Sequence, residues 1–345
     1  MMPRSGGGFK AVLACSGLRS NHHAARSQID NEKEMALLLD IKMPDWMTDE
    51  DLRAELLSHY PGADIRTGDN PGNLDEIEML TVSNYLPGEA LSYPHLKLIQ
   101  KTGAGVNNIL ADQKLPESVL ITRLQTNTSG TEMAEYALAY VLQEQRQMRT
   151  YHRQQGNSEW ISYAPRKAND TTVAVLGLGR IGLLVAQRFV DNGFNVAGWS
   201  RNPKSLDGVS CDAGDDGLLR VLAGADYVVS VLPSTQQTRQ MFAIDLFRNF
   251  EAQSFFINVG RGDLVNEPDL IEALDQGMLA GAILDVMSIE PLPADNPLWL
   301  HPRVQLTPHI SGYHLGDAVL DIGENYRRLQ SGEPLLHLVD RKRGY

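Results

Sequence analysis

Residues 171–201, TTVAVLGLGRIGLLVAQRFVDNGFNVAGWSR, restrict the possible folds of this chain more than any other stretch. Val173, Ala174, Val175 and Leu176 make a short apolar run, the mark of a strand buried on both faces. Gly177, Gly179 and Gly182 follow as G-x-G-x-x-G where that strand should end. Each glycine answers a separate need: a tight turn at Gly177, close approach of the backbone to a pyrophosphate at Gly179, helix–strand packing at Gly182. Ile181, Leu184, Val185, Arg188 and Phe189 recur at helical spacing, so the turn opens a helix whose N-terminal amides can hold phosphate. Asn192 and Gly193 stop that helix, and 194–199 reads as a second strand. Glycines at this spacing are a weak signal alone. Inside a strand–helix–strand unit of about 30 residues they predict a dinucleotide site, the other reading being a glycine turn without a ligand.

The unit lies mid-chain, with domain-like sequence on both sides. At 345 residues the chain exceeds a single core, which stops growing at about 250–300 residues, so two domains are expected, one of them discontinuous. Hydrophobic residues at 42% and charged residues at 21% describe a globular protein. No apolar run reaches the length of about 18 needed to cross a bilayer, and Arg180 interrupts even 173–186. A net charge of −12 argues against nucleic acid or an anionic membrane as partner. Any anionic ligand must then be held by specific residues against the overall field. Cys15 and Cys211 have neither metal nor disulfide spacing, which fits a reducing compartment and no metal site.

Residues 1–34 differ from the rest. Arg4, Lys10, Arg19 and Arg26 occur with no acid before Asp30, among glycines, serines and His22-His23. The composition is like that of a transit peptide but lacks an amphipathic period, so a disordered extension is expected, with the first domain starting at Met35. Residues 35–41 read as the first strand; Thr48 and Asp51 cap a helix through Leu52, Leu56 and Leu57 that ends near Pro61-Gly62. Strand and helix signals alternate to about residue 121, with a strand at 96–100 followed by KTGAGVNNI. Free amides in that turn suit a carboxylate, although an ordinary strand-to-helix turn reads the same way. Ser129-Gly130-Thr131-Glu132 reads as the capping box of a helix over 132–148. The polar stretch 149–170 is too long for a simple connection and should pack on something, such as another subunit. Further strands are expected at 225–232, 255–259 and 280–286, with a helix capped by Asn266 and ended at Gly277. Repeated units of this kind predict a doubly wound parallel sheet.

Ligands of such sheets lie beyond the carboxyl ends of the strands, where INVGRGDLV, LDVMSIEPLPADNPLW and VQLTPHISG carry reactive side chains. With VLGLGRIG and KTGAGV, these segments resemble the D-isomer-specific 2-hydroxyacid dehydrogenase family, over 35–345. Within it, YLPGEAL, WSR and the ending VDRKRGY are most similar to the glyoxylate/hydroxypyruvate reductase A branch. The resemblance implies an α/β protein of two doubly wound parallel-sheet domains. A Rossmann-type nucleotide domain (125–311) would be inserted into a flavodoxin-like substrate domain (35–124 with 312–345), and the active site would lie in the cleft between them.

It also implies roles for residues. Arg261 would hold the carboxylate and carbonyl oxygen of a small 2-oxo acid, glyoxylate or hydroxypyruvate, for which a guanidinium fork is suited. His309 would give a proton to that oxygen as hydride reaches carbon, and Glu290 would hold the other imidazole nitrogen, favouring imidazolium. Gly103, Ala104 and Gly105 would bind the carboxylate from the other domain, and Asp285 would meet the nicotinamide amide. Arg180, Ile181, Leu232, Pro233 and Thr238 would complete the cofactor cradle. Taken singly, each has an ordinary alternative: a surface arginine, a strand-ending glutamate, a structural histidine, with His301 and His314 competing for the role of His309. Where the family commonly has Asp after GAGV, this chain has Asn107 and Asn108. The second strand of the nucleotide unit ends in Ser200-Arg201, with Lys204 near and no acid to repel a 2′-phosphate, so NADPH is expected over NADH, which remains possible. A cytoplasmic homodimer is expected. Alternatives are a reductase of bulkier 2-oxo acids, 3-phosphoglycerate dehydrogenase, or a nucleotide-sensing protein without turnover; a pure sensor would not need Arg261, Glu290 and His309 together.

Overall fold

The computed structural model describes residues 35–43 and 46–342. The expected disordered extension at 1–34, Cys15 and the last three residues of VDRKRGY lie outside the described residues.

The first sheet is laid down by β1 (Ala36–Asp40), α1 (Asp49–His59), β2 (Ile65–Thr67), β3 (Ile77–Val82), β4 (Leu98–Lys101), α2 (Asn107–Leu110) and β5 (Leu120–Arg123). Its five strands run parallel in the order β2-β1-β3-β4-β5. The side chains of β1 are almost wholly buried, as a strand covered on both faces requires. Thr48 caps α1 by accepting from the Asp51 amide, as its spacing predicts.

The chain then crosses through α3 (Asn127–Gln145) and α4 (Met148–Gly156) into β6 (Thr172–Leu176), α5 (Arg180–Asp191), β7 (Asn195–Ser200), β8 (Val209–Ala213), α6 (Gly214–Leu222) and β9 (Tyr227–Ser230). It continues through α7 (Ile244–Phe247), β10 (Phe255–Asn258), α8 (Glu267–Asp275), β11 (Gly281–Leu284), β12 (Val304–Leu306) and α9 (Leu320–Ser331). The seven strands from β6 onward form one parallel sheet, ordered β12-β11-β10-β9-β6-β7-β8. The order reverses between β6 and β9, and this reversal opens a crevice at the glycine turn that follows β6.

Helix α3 departs from expectation. It starts at Asn127, capped by Thr126, and not at Glu132. Glu132 is unavailable for a capping box because its carboxylate accepts from the Tyr313 and His314 amides, far along the chain. Met133, Ala134, Ala137 and Val141 of this helix pack with Val185, Ala186 and Phe189 of α5 over Val173 and Val175. The stretch 149–170 also differs from a plain connection, because its first part is α4. Tyr151 of α4 accepts from the Tyr163 amide at 2.9 Å, which ties down the segment that follows.

Helix α9 returns to the first sheet. Ile322 and Tyr326, with Leu315, Ala318 and Val319 just before, share one core with Leu37, Leu39, Leu52 and Leu56. Past α9 the Val339 amide donates to Ile121 O at 2.9 Å. The seven-stranded domain is therefore inserted within the five-stranded one. Among the described residues no helix is long and apolar enough to cross a membrane.

Candidate active site

The glycine turn after β6 has the geometry its sequence demands. Gly177 takes φ +101°, a conformation L side chains rarely adopt, and a Cβ on Gly182 would stand 1.9 Å from the Gly177 carbonyl oxygen. Gly179 is the N-cap of α5, and the space its Cβ would occupy is open within 4 Å. Arg180 opens the helix and donates to Asn127 Oδ1 at 3.1 Å and Gln125 Oε1 at 3.3 Å; Ile181 follows, part-buried. At the end of β7 the Ser200 hydroxyl donates to Asn202 O at 2.7 Å, and Lys204 donates to the Leu178 carbonyl. The 200–204 segment thus folds back to the glycine turn, with Arg201 exposed on it. Leu232 Cδ2 lies 3.0 Å from a Cβ built on Gly177, and the Thr238 hydroxyl closes the next loop by donating to Pro233 O at 2.6 Å.

Arg261 follows β10, where a Cβ on Gly262 would stand 1.9 Å from the Met287 carbonyl carbon. Only glycine lets the arginine turn lie so close to the segment after β11. The guanidinium reaches across to the first domain, where a Cβ on Gly105 would be 2.0 Å from Arg261 Nη2. Burial lowers its pKa, the charges of Glu290 and Asp263 raise it and that of Arg123 lowers it, leaving a net lowering. Arginine nonetheless stays charged.

His309 Nδ1 lies 2.8 Å from Glu290 Oε2, while Glu290 Oε1 accepts from the Met287 amide at 2.9 Å. The pairing leaves Nε2 as the nitrogen open to a ligand. Burial pushes the Glu290 carboxyl up, but the His309 hydrogen bond and charge, the Met287 amide and the Arg261 charge together bring it below its ordinary value. His309 has φ +57°, unusual for a side-chain-bearing residue. Its amide is held by the carbonyls of Asp285 at 2.9 Å and Thr307 at 3.0 Å.

Asp285 is wholly buried, and its carboxylate accepts from the Thr307 hydroxyl and from the amides of Ile310 and Ser311. Tyr136 of α3 completes the chain through Thr307 at 2.6 Å. The competing histidines have other partners: His301 faces Asp275 at 3.3 Å and His314 bonds Glu132. Only His309 of the three faces Glu290.

Four residues near the cleft were missed or left open by sequence reasoning. Asn107 donates its amide to Ser234 O at 2.5 Å, a bond between the domains that Asp could not make. Asn108 instead donates to Tyr85 O at 3.3 Å within its own domain. Arg123 donates to Ala104 O at 3.0 Å and so props the Gly103–Ala104–Gly105 turn. Lys101, at the end of β4, lies beside the same turn, 3.6 Å from a Cβ built on Gly103. Their sequence signal was slight, since each takes its meaning from a partner remote in the chain.

A parallel sheet with a dinucleotide-type glycine turn, a second parallel sheet and a histidine–glutamate pair near a domain-crossing arginine make up the arrangement that the 2-hydroxyacid dehydrogenase motifs imply. Residues 138–311 match the family of the D-isomer specific 2-hydroxyacid dehydrogenase, NAD binding domain. The chain belongs to the D-isomer specific 2-hydroxyacid dehydrogenases. It is 41% identical over 256 residues to glyoxylate/hydroxypyruvate reductase A of Photorhabdus laumondii, covering 72% of this chain and 82% of that one. It is similar, with a TM-score of 0.83 and 38% identity, to a D-isomer specific 2-hydroxyacid dehydrogenase from Xanthobacter autotrophicus solved with NADPH and MES; 90% of this chain and 100% of that one are covered. An NADPH-dependent glyoxylate/hydroxypyruvate reductase from Sinorhizobium meliloti, solved with NADP and sulfate, has a TM-score of 0.82 and 32% identity over 90% of this chain and 100% of that one.

Proposed function

We propose that this protein reduces small 2-oxo acids, glyoxylate or hydroxypyruvate among them, to the D-2-hydroxy acid with NADPH. The observation that carries the reading is the meeting, at one cleft, of the His309–Glu290 pair and the Arg261 guanidinium against Gly105. Residues 125–311 serve as the dinucleotide-binding domain, with 35–124 and 312–345 as the substrate domain.

The residues present fit a dinucleotide: the cradle at Gly179 is open, and no carboxylate stands on the 200–204 segment. Gly177, Gly179 and Gly182 with the first amides of α5 would take the pyrophosphate, and Arg180, Ile181, Leu232, Pro233 and Thr238 would line its surroundings. Ser200, Arg201 and Lys204 would meet the adenosine end, where a 2′-phosphate supplies two negative charges. Asp285, engaged with the 307–311 loop, would face the nicotinamide side while fixing the backbone that carries His309. When bound, NADPH supplies the hydride.

Arg261 and the Gly103–Ala104–Gly105 amides orient the carboxylate of the oxo acid, and Arg261 also draws the carbonyl oxygen. His309 places its Nε2 proton on that oxygen as negative charge develops there. Glu290 holds Nδ1, fixes the ring and offsets its positive charge until the proton has left. The protein works as a cytoplasmic homodimer; the exposed Trp160, Ile161 and Tyr163 on the segment after α4 support its self-association. The test is kcat/KM for a panel of 2-oxo acids with each cofactor: reduction with NADPH is expected, and a protein that turns over none of them contradicts the reading.

A further inference from the structure

Lys101 takes no part in the mechanism above, yet it lies at its centre. It ends β4 beside Arg123 of β5 and Val82 of β3, so the neighbouring strands offer it no carboxylate. Its ammonium stands over Gly103 while the Arg261 guanidinium stands over Gly105, so the two cations straddle one three-residue turn. Arg261 is near enough for its charge to be felt at Lys101. The nearby acids are occupied: Glu290 by His309 and the Met287 amide, Asp263 by Ser234 and Arg239. Among the described residues no side chain or carbonyl accepts a hydrogen bond from Lys101 Nζ. Burial, followed by the Arg261 charge, pulls the ammonium down to about 7.

A half-buried ammonium with no carboxylate beside it is a place where an anion is favoured, because the anion's charge offsets its own. The carboxylate common to all 2-oxo acids matches one positive charge, that of Arg261. A second charge remains unmatched. We propose that Lys101 and Arg261 form a two-cation site, and that the preferred substrate is a 2-oxo acid carrying a second carboxylate, which Lys101 binds. This rests on the reading of the protein as a 2-oxo acid reductase and names the substrate class of that site.

The test compares oxaloacetate with 2-oxobutyrate, which has the same chain length and one carboxylate, in the unmodified protein, Lys101→Met and Lys101→Arg with NADPH. The unmodified protein should favour oxaloacetate by about tenfold or more in kcat/KM, mostly through KM, because a charge-assisted hydrogen bond is at stake. That ratio should shrink as pH rises from about one unit below 7 to about one above, because the ammonium loses its proton. It should collapse towards one in Lys101→Met. Lys101→Arg, charged throughout, should keep the ratio and lose its pH dependence.

A second readout needs no turnover. Malonate should raise Tm in the unmodified protein and much less in Lys101→Met, whose ligand-free Tm should be the higher of the two. A ratio near one in the unmodified protein, or equal losses for both oxo acids in Lys101→Met, overturns the proposal. Failure to reduce any 2-oxo acid contradicts the reductase reading instead, and the malonate shift still decides whether the two-cation site exists.

Discussion

His309 owes its place to bonds at both ends: its amide to Asp285 and Thr307, its ring to Glu290. Removing the proposed proton donor while keeping the shape is the direct test. His309→Asn should cut kcat for reduction by about 10²–10⁴, the usual worth of general acid catalysis, with NADPH affinity little changed in a binding titration. Near-normal turnover would reassign the proton. Glu290 is expected to act through charge as well as position. Its carboxyl is held below the ordinary value, so the carboxylate persists through the neutral range, and its pairing is lost only as pH falls through that lowered value. Glu290→Gln removes that titrating carboxylate, so the acid-side fall of kcat/KM that follows its protonation should disappear from the profile. An unshifted profile would confine Glu290 to holding the ring.

At the scale of elements, β6, the glycine turn, α5 and β7 form one device, and the segment after β7 is the part proposed to set its cofactor choice. Lys204 bonds the Leu178 carbonyl, which brings 200–204 over the glycine turn. Arg201 is exposed beside it. A charge-assisted bond to a 2′-phosphate is worth about 1.5–3 kcal/mol, so NADPH should be preferred over NADH by about ten- to a hundredfold. Arg201→Ala should erase much of that preference in KM while leaving kcat with NADH nearly unchanged, since the 2′-position is remote from the hydride. Equal or better kcat/KM with NADH in the unmodified protein would refute the assignment.

At the scale of the whole molecule, α9 and the 337–341 segment close the five-stranded domain, whose described core begins at Met35. A chain beginning at Met35 should keep its Tm and kcat close to those of the full chain, checked by thermal melts and steady-state rates. Loss of folding would assign 1–34 a structural part. The segment after α4 exposes Trp160 fully and Ile161 by half, area that a second copy of the chain would bury. Trp160→Ser should weaken the dimer, read as a shift in sedimentation mass at low concentration. A single monomeric species for the unmodified protein would dismiss the dimer.

The glycine turn, the alternation of strands and helices, the caps at Thr48 and Asn266 and the arginine, glutamate and histidine of the cleft were legible in the chain itself. The first of these express local physics: backbone torsions, hydrophobic period and cap hydrogen bonds act within a few residues. The cleft residues were legible because their motifs resemble those of a family. Tertiary structure alone decided the rest. The start of α3 depends on where Glu132 finds its donors, and those are the amides of Tyr313 and His314. Asn107 is a link between domains only because Ser234 O lies opposite it. The partners of the other two histidines, Asp275 for His301 and Glu132 for His314, likewise came from the fold. Lys101 reads in the chain as one more surface lysine at a strand end. Its lowered pKa follows from burial and from the charge of Arg261, 160 positions later, because the field at a residue is set by its neighbours in space.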